Sequence, residues 1–245
     1  MKVELKQVPL LTPAEIGETA SALDTLHSRV LKTIERLQKD VDARKAAIAN
    51  RWKALDGVTM TERARFSERE TLSVIREIQD KSRAELDNLL KDAGPAHAKL
   101  MGQRLYYDAP TQVLARVGLG DPRRTAYLQQ LAYAGPAELA HFAQVAVGTK
   151  DEVLAAAVLS MLDKMPSKDR PVGPATFAEA MNIEGYVKVQ EYIKIGDARL
   201  QGIVLAIRTW TQGKSNPINT VALALRQREL DPDVVKELRG PRNGA

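Results

Sequence analysis

The first long run of the chain repeats apolar residues at alternating steps of three and four positions. With Ile34 at heptad position a, nine of the twelve a and d positions between Ile16 and Leu55 are apolar. Thr12 and Glu15 have the spacing of a capping box, and no proline interrupts the run that follows. The pattern predicts one long helix with a coiled-coil-like seam.

A second apolar stripe follows a short break that contains a glycine. We expect the new helix to begin at Thr59 or Thr61 and to end at Gly94-Pro95. Its stripe again steps by three and four residues, through Leu72, Ile75, Ile78, Ser82, Leu86 and Leu89. Because so short a connection forces two helices to run antiparallel, residues 13–93 are predicted to form a helical hairpin.

Beyond the hairpin the helical pattern becomes shorter and richer in alanine. Proline and glycine recur as breaks, but no motif repeats at a fixed period, which favours an irregular bundle over a solenoid. The fold class is therefore all-α, with a long N-terminal antiparallel hairpin and a bundle of shorter helices. The predicted segments are an extended arm (1–12), the hairpin (13–93), a short-helix bundle (94–165), a linker or exposed loop with three prolines (166–175), C-terminal helices (176–239) and a flexible tail (240–245).

Composition narrows the possible chemistry. The chain has no cysteine, which excludes disulfides, zinc-thiolate sites and cysteine nucleophiles, and its three histidines are not spaced to bind one metal. Gly213-Lys214-Ser215 matches the end of a P-loop, but Arg208 stands where that loop needs its first glycine. We predict no cofactor, no catalytic residue and no metal site, and hence a protein that is not an enzyme.

The positive charge is concentrated near the C-terminus. The formal net charge is +5, and residues 199–245 hold eight Lys and Arg against four Asp and Glu. The candidate polyanion contacts are Arg226, Arg228, Lys236, Arg239 and Arg242. Cations at the end of a helix also complement its dipole, which accounts for Arg226 and Arg228 without a ligand. Weak, non-specific binding to nucleic acid is therefore the alternative function.

Three polar residues interrupt the first apolar seam. His27, Arg44 and Arg51 occupy a and d positions, where an unpaired polar group is costly. They either reach solvent at the edge of the hairpin or set the register against acidic groups of another subunit. The second interpretation makes them candidate partner-interface residues.

These patterns favour a structural or assembly protein. A two-helix hairpin cannot bury both of its faces alone, and no catalytic constellation accompanies it. We expect helix-mediated contacts with protein partners or with further copies of the chain, within a larger multi-subunit particle such as a bacteriophage virion. No run approaches the roughly 18 to 20 apolar residues that cross a bilayer, so a cytoplasmic location is expected.

Overall fold

The prediction of an all-α fold is confirmed in the computed structural model, which describes residues 8–54, 56–213 and 217–239 and contains no strand among them. Three of the helices are long, and the others span 14 residues or fewer. The helices are α1 (Pro13–Lys53), α2 (Met60–Gly102), α3 (Arg104–Tyr107), α4 (Pro110–Arg116), α5 (Pro122–Gln130), α6 (Pro136–Thr149), α7 (Glu152–Lys164), α8 (Pro174–Ala180), α9 (Glu184–Gln212), α10 (Pro217–Arg228) and α11 (Pro232–Arg239), with a 3-10 turn at Ser167–Asp169.

Capping boxes begin both helices of the hairpin. The Glu15 carboxylate accepts from the Thr12 amide at 2.8 Å, and the Thr12 hydroxyl accepts from the Glu15 amide at 3.3 Å. Thr59 and Glu62 repeat the pair at 3.1 and 3.3 Å, which identifies Thr59 as the cap of α2. Each box satisfies two of the amides that the first turn of a helix leaves without an intrahelical partner.

The expected helix end at Gly94-Pro95 is wrong, because α2 continues through Pro95 to Gly102. A proline inside a helix removes one hydrogen bond and strains the preceding turn. Ala93 and Leu100 flank this point and are fully buried, so packing outweighs the local propensity.

The chain divides into two compact units. Unit 1 comprises Met1–Gly17 and Met101–Ile193, and unit 2 comprises Glu18–Leu100 and Lys194–Ala245. The proposed role of 166–175 as a linker or exposed loop stays a prediction. Residues 1–7 of the predicted arm and the whole predicted tail, 240–245, lie outside the described residues.

Helix α7 is the centre of unit 1. It packs against α4, α5, α6 and α8. Its alanine-rich face is buried throughout: Leu154, Ala155, Val158, Leu159 and Leu162. Small side chains let the neighbouring helices approach α7 closely, which gives this unit a core largely made of alanine and leucine.

The described end of the N-terminal arm is held by side chains of unit 1. The Gln103 amide accepts from the Leu11 amide and donates to the Pro9 carbonyl, both at 3.0 Å. The Tyr107 hydroxyl donates to the Leu11 carbonyl at 3.1 Å. One buried side-chain amide thus bonds the extended backbone on both its donor and acceptor sides, as a neighbouring strand would.

In unit 2, α1 and α2 form the predicted antiparallel hairpin. Arg36 pairs with Glu85 at 2.8 Å, and Arg51 near the end of α1 pairs with Glu70 near the start of α2. A residue further along α1 therefore has its partner nearer the start of α2, so the two helices run antiparallel. Trp52 and Phe66 stack near the turn with ring centroids 5.5 Å apart.

The remaining face of the hairpin is covered by α9. Leu23 and His27 of α1 lie against Gly196 and Gly202 of α9, so these two helices run parallel. His97 and Ser82 of α2 contact Asp197 and Trp210 in the reverse order, so α2 and α9 are antiparallel. The result is a three-helix core that buries Leu23, Val30, Val41, Ile48, Ile78, Leu86, Leu89, Ile203 and Ile207.

Gly196 lies at a close approach of the helices in this core. A methyl group at that position would overlap Leu100 Cδ2 and lie 3.2 Å from Leu23 Cδ1. Leu100 and Leu23 are both fully buried, so neither side chain has space to withdraw.

We expect Gly196→Ala to lower the melting temperature of the protein, since overpacking of this kind costs about 1 to 3 kcal/mol. Gly148→Ala, in α6, is the matched control. It also lies within a helix, a methyl group there meets nothing within 4 Å, and the change removes the helix penalty of glycine, worth up to about 1 kcal/mol. Thermal unfolding monitored by circular dichroism should show a lower melting temperature for Gly196→Ala and a higher one for the control. A raised melting temperature for Gly196→Ala would contradict the close packing.

Candidate functional site

Unit 2 contains an apolar groove, which we call the α10 groove. It encloses a cavity of about 660 Å³ between α1, α9 and α10, with α2 at one end. Its main apolar lining residues are Leu31, Ile34, Val41, Leu205, Trp210 and Leu223. Lys45 is the one lining residue with a formal charge at neutral pH within the described part of the chain. The groove is therefore suited to an uncharged, apolar surface.

One wall of the groove is a helix that buries almost nothing. Every residue of α10 is exposed except Leu223, which is half-buried and lines the groove. Val221 and Leu225 are 59% and 53% exposed, and Ile218 is also largely exposed. Apolar residues spaced three and four apart on one side of a helix are normally covered. In this unit they face solvent.

The floor of the groove is fixed by Trp210. Its indole N–H donates to the Ser82 hydroxyl at 3.0 Å, and its carbonyl accepts from the Gln79 side chain at 2.6 Å. Ser82 is the polar member of the apolar stripe of α2. It serves as the acceptor that a buried indole requires, which keeps the Trp210 ring at a fixed position beside the groove.

A buried charged cluster lies beside the groove on the α1 side. Asp24 and Arg199 are 5% and 7% exposed, and the Arg199 Nε lies 2.6 Å from Asp24 Oδ1. Arg239 of α11 adds its Nε at 2.9 Å from Asp24 Oδ2. Burial by itself would raise the pKa of Asp24, but the hydrogen bonds and positive charges of Arg239 and Arg199 outweigh it and hold that pKa below its usual value. Asp24 is therefore a stable carboxylate that bridges α1, α9 and α11.

Apolar contacts support the same attachment of α11. Leu230, Val234, Val235 and Leu238 pack against Ile195 and Ala198 of α9. The Ser21 hydroxyl of α1 donates to the Leu238 carbonyl at 2.9 Å. The chain after α10 is thus anchored to the core at several points.

His27 joins the charged cluster to the groove. It is buried one turn after Asp24, it lines the groove, and its imidazole packs against the backbone of Gly202. Burial, followed by the positive charge of Arg199, lowers the pKa of His27, although Asp24 acts in the opposite direction. The neutral imidazole is therefore favoured, which keeps the groove uncharged at this point.

The other two seam interruptions have partners within the chain. Arg44 is exposed and pairs with Asp40 on the same helix at 3.3 Å. Arg51 pairs with Glu70, which also accepts from the Trp52 indole at 2.9 Å. The hypothesis that His27, Arg44 and Arg51 meet another subunit stays a prediction.

Three of the predicted polyanion contacts pair with carboxylates of the chain. Arg226 pairs with Asp197 at 3.0 Å, Arg239 with Asp24, and Lys236 with Asp233 at 3.2 Å on its own helix. Arg228 is exposed, and Arg242 lies outside the described residues. Two of these cations thus hold α10 and α11 to the core.

Asp24 and Arg199 were not found by sequence reasoning. Asp24 falls outside the a and d positions, and 175 residues separate it from Arg199. The available signal is the spacing of Gly196, Arg199 and Gly202, because glycines on one helix face indicate a close approach around the residue between them.

The described residues contain no group of three or more His, Asp or Glu side chains arranged to hold a metal ion. None of their helices has the length and apolar character needed to cross a membrane.

Comparison with known proteins gave no match: no protein-family model, no curated protein and no solved structure is significantly similar to this chain.

We expect Asp24→Asn to destabilise the protein by about 3 to 5 kcal/mol at pH 7, because it leaves the buried Arg199 guanidinium without its counter-charge. The control Asp40→Asn removes an exposed carboxylate from an i,i+4 pair and should cost no more than about 0.5 kcal/mol. Urea unfolding measures both values. Since the pKa of Asp24 is lower in the folded state, the difference between wild type and Asp24→Asn should shrink as the pH falls below about 4. Equal unfolding midpoints at pH 7 would contradict the role of this carboxylate.

His27 should give the stability of the folded protein a second dependence on pH. Its pKa is lower in the folded than in the unfolded state, so the unfolded chain binds more protons as the pH falls below about 6.5. Stability should therefore be greatest above that pH and decrease between about pH 6.5 and 5. His27→Gln should flatten this part of the curve, whereas His141→Gln, which removes an exposed imidazole, should keep the wild-type slope. Melting temperatures measured from pH 8 to 5 test this, and identical slopes in wild type and His27→Gln would rule it out.

Proposed function

We propose that this protein is a non-enzymatic assembly protein that binds an α-helix of a protein partner in the α10 groove. In this proposal it acts as a component of a larger multi-subunit particle, of which a bacteriophage virion assembled in the cytoplasm is one example. The observation that carries the proposal is the combination of an apolar groove with a wall, α10, whose own apolar residues remain exposed.

The length of the groove supports a helical occupant. Its lining residues on α1 extend from His27 to Lys45. At 1.5 Å per residue this is about 27 Å, or five turns of a helix. A compact small molecule would occupy only part of it, whereas an amphipathic helix with apolar residues at i, i+3, i+4 and i+7 covers its full length.

The charges of unit 2 favour this function over polyanion binding. Non-specific binding to nucleic acid needs several cations free to meet phosphates. Arg226 and Arg239 instead pair with Asp197 and Asp24. Arg228 and Lys236 remain at the surface, and a steep salt dependence of retention on heparin would favour the alternative function.

Trp210 provides a direct readout of the groove. The chain has two tryptophans, so Trp52→Phe leaves Trp210 as the only one and preserves an aromatic ring next to Phe66. We expect an amphipathic helical peptide with an uncharged apolar face to change Trp210 fluorescence saturably. A peptide of the same composition with a scrambled order should have no effect.

A matched pair of variants locates the binding. Leu31 lines the groove and is 46% exposed, while Leu72 is 50% exposed on α2 and does not line it. Leu31→Glu should abolish the fluorescence change, and Leu72→Glu should retain it. If no peptide produces a saturable change, or if both variants bind equally well, the groove is not a helix-binding site.

A further inference from the structure

We propose that the helix bound in the α10 groove is α10 of a second copy of this chain, in a reciprocal two-fold dimer. This inference rests on the proposed function and names its partner. The surfaces that meet are the α10 groove of one copy and the apolar stripe of the other, formed by Val221 and Leu225 with Ile218 at its start.

The geometry of α10 separates these two surfaces. Leu223 faces the groove of its own chain, together with Thr220 and Gln227. Val221 and Leu225 are each two residues away from Leu223, and two residues correspond to about 200° around a helix. The stripe therefore points away from its own groove and cannot fill it while Leu223 remains in place.

The stripe and the groove match in charge and length. No charged residue occurs from Pro217 to Leu225, and the groove has Lys45 as its one formally charged lining residue within the described chain. The twelve residues of α10 span about 18 Å, which fits inside the roughly 27 Å of groove along α1. An uncharged helix therefore enters without burying an unpaired charge.

The attachment of α10 lets it act as a preformed binding element. Trp210 before it and Leu230 after it are both buried in unit 2. Gly213 ends α9 with a φ of +63°, a left-handed conformation that terminates helices. A helix held near both ends presents its outer stripe with little loss of conformational freedom on binding.

Symmetry explains why one contact covers both exposed surfaces. In the proposed dimer a two-fold axis places each stripe in the other copy's groove, so that the groove and the stripe together form one self-complementary patch. Such an interface is closed, so it gives a dimer and no further growth.

The mass of the purified chain tests the inference. We expect sedimentation equilibrium to show a change from one to two chain masses with increasing concentration. Val221→Ser and Leu225→Ser, at exposed positions, should raise the dimer dissociation constant by at least tenfold each and leave the melting temperature of the dilute protein unchanged. The control Leu72→Ser makes the same kind of change on α2 and should leave the dissociation constant unaltered.

Cross-linking identifies the contact itself. Because the chain has no cysteine, Val221→Cys and Leu31→Cys proteins of different tag length can be mixed and oxidised with copper phenanthroline under air. A covalent pair of mixed size is expected from this mixture, and none from Val221→Cys mixed with Leu72→Cys.

Two results would overturn the inference. One is a chain that stays monomeric at every concentration, and the other is a dimer that is insensitive to both stripe substitutions. If the chain is monomeric but the amphipathic peptide still changes Trp210 fluorescence, the second copy is excluded as the partner and helix binding in the groove stands. If neither dimer nor peptide binding is observed, both proposals fail.

Discussion

The carboxylate of Asp24 is the group on which the arrangement of unit 2 depends. It lies almost without exposure between the guanidinium groups of Arg199 and Arg239, and so connects α1, α9 and α11. A buried pair of this kind adds little stability compared with well-packed apolar residues, but it is very sensitive to a wrong arrangement because a charge without its partner is costly to bury. Asp24 therefore fixes which turn of α9 faces which turn of α1. The position of the groove wall follows from that register.

The small residues of α9 make this register possible. Gly196 and Gly202 each lie about one turn from Arg199, one before it and one after it, and let α9 approach the hairpin closely. Gly202 also lines the groove, and the larger residues Leu205 and Trp210 continue that lining further along α9. The same helix face that makes the close contact with α1 therefore borders the groove.

The sequence predicts the helices well and their partners poorly. The capping box of Thr12 and Glu15 and the seam from Ile16 to Val30 are local patterns, and both appear in the structure as expected. The predicted helix end at Pro95 is wrong because the burial of neighbouring residues, a tertiary effect, outweighs the local tendency of proline to end a helix. Asp24 and Arg199 could not be paired since neither stands in a motif. The exposure of Val221 and Leu225 was equally hidden, because periodicity shows that a helix has an apolar side but does not show what covers it.

The order of the units along the chain has a consequence for synthesis on the ribosome. Unit 1 combines Met1–Gly17 with Met101–Ile193. Unit 2 combines α1 with helices α9 and α11, which come much later in the chain. Arg199, the partner of Asp24, lies 175 residues later in the chain. Synthesis of that stretch takes about 10 to 35 seconds at usual elongation rates. During that interval the face of the α1–α2 hairpin that meets Gly196 and Gly202 in the folded protein has no α9 to cover it. The nascent chain is therefore most exposed to misassembly before α9 is made, and an early translational stop leaves a hairpin without a core.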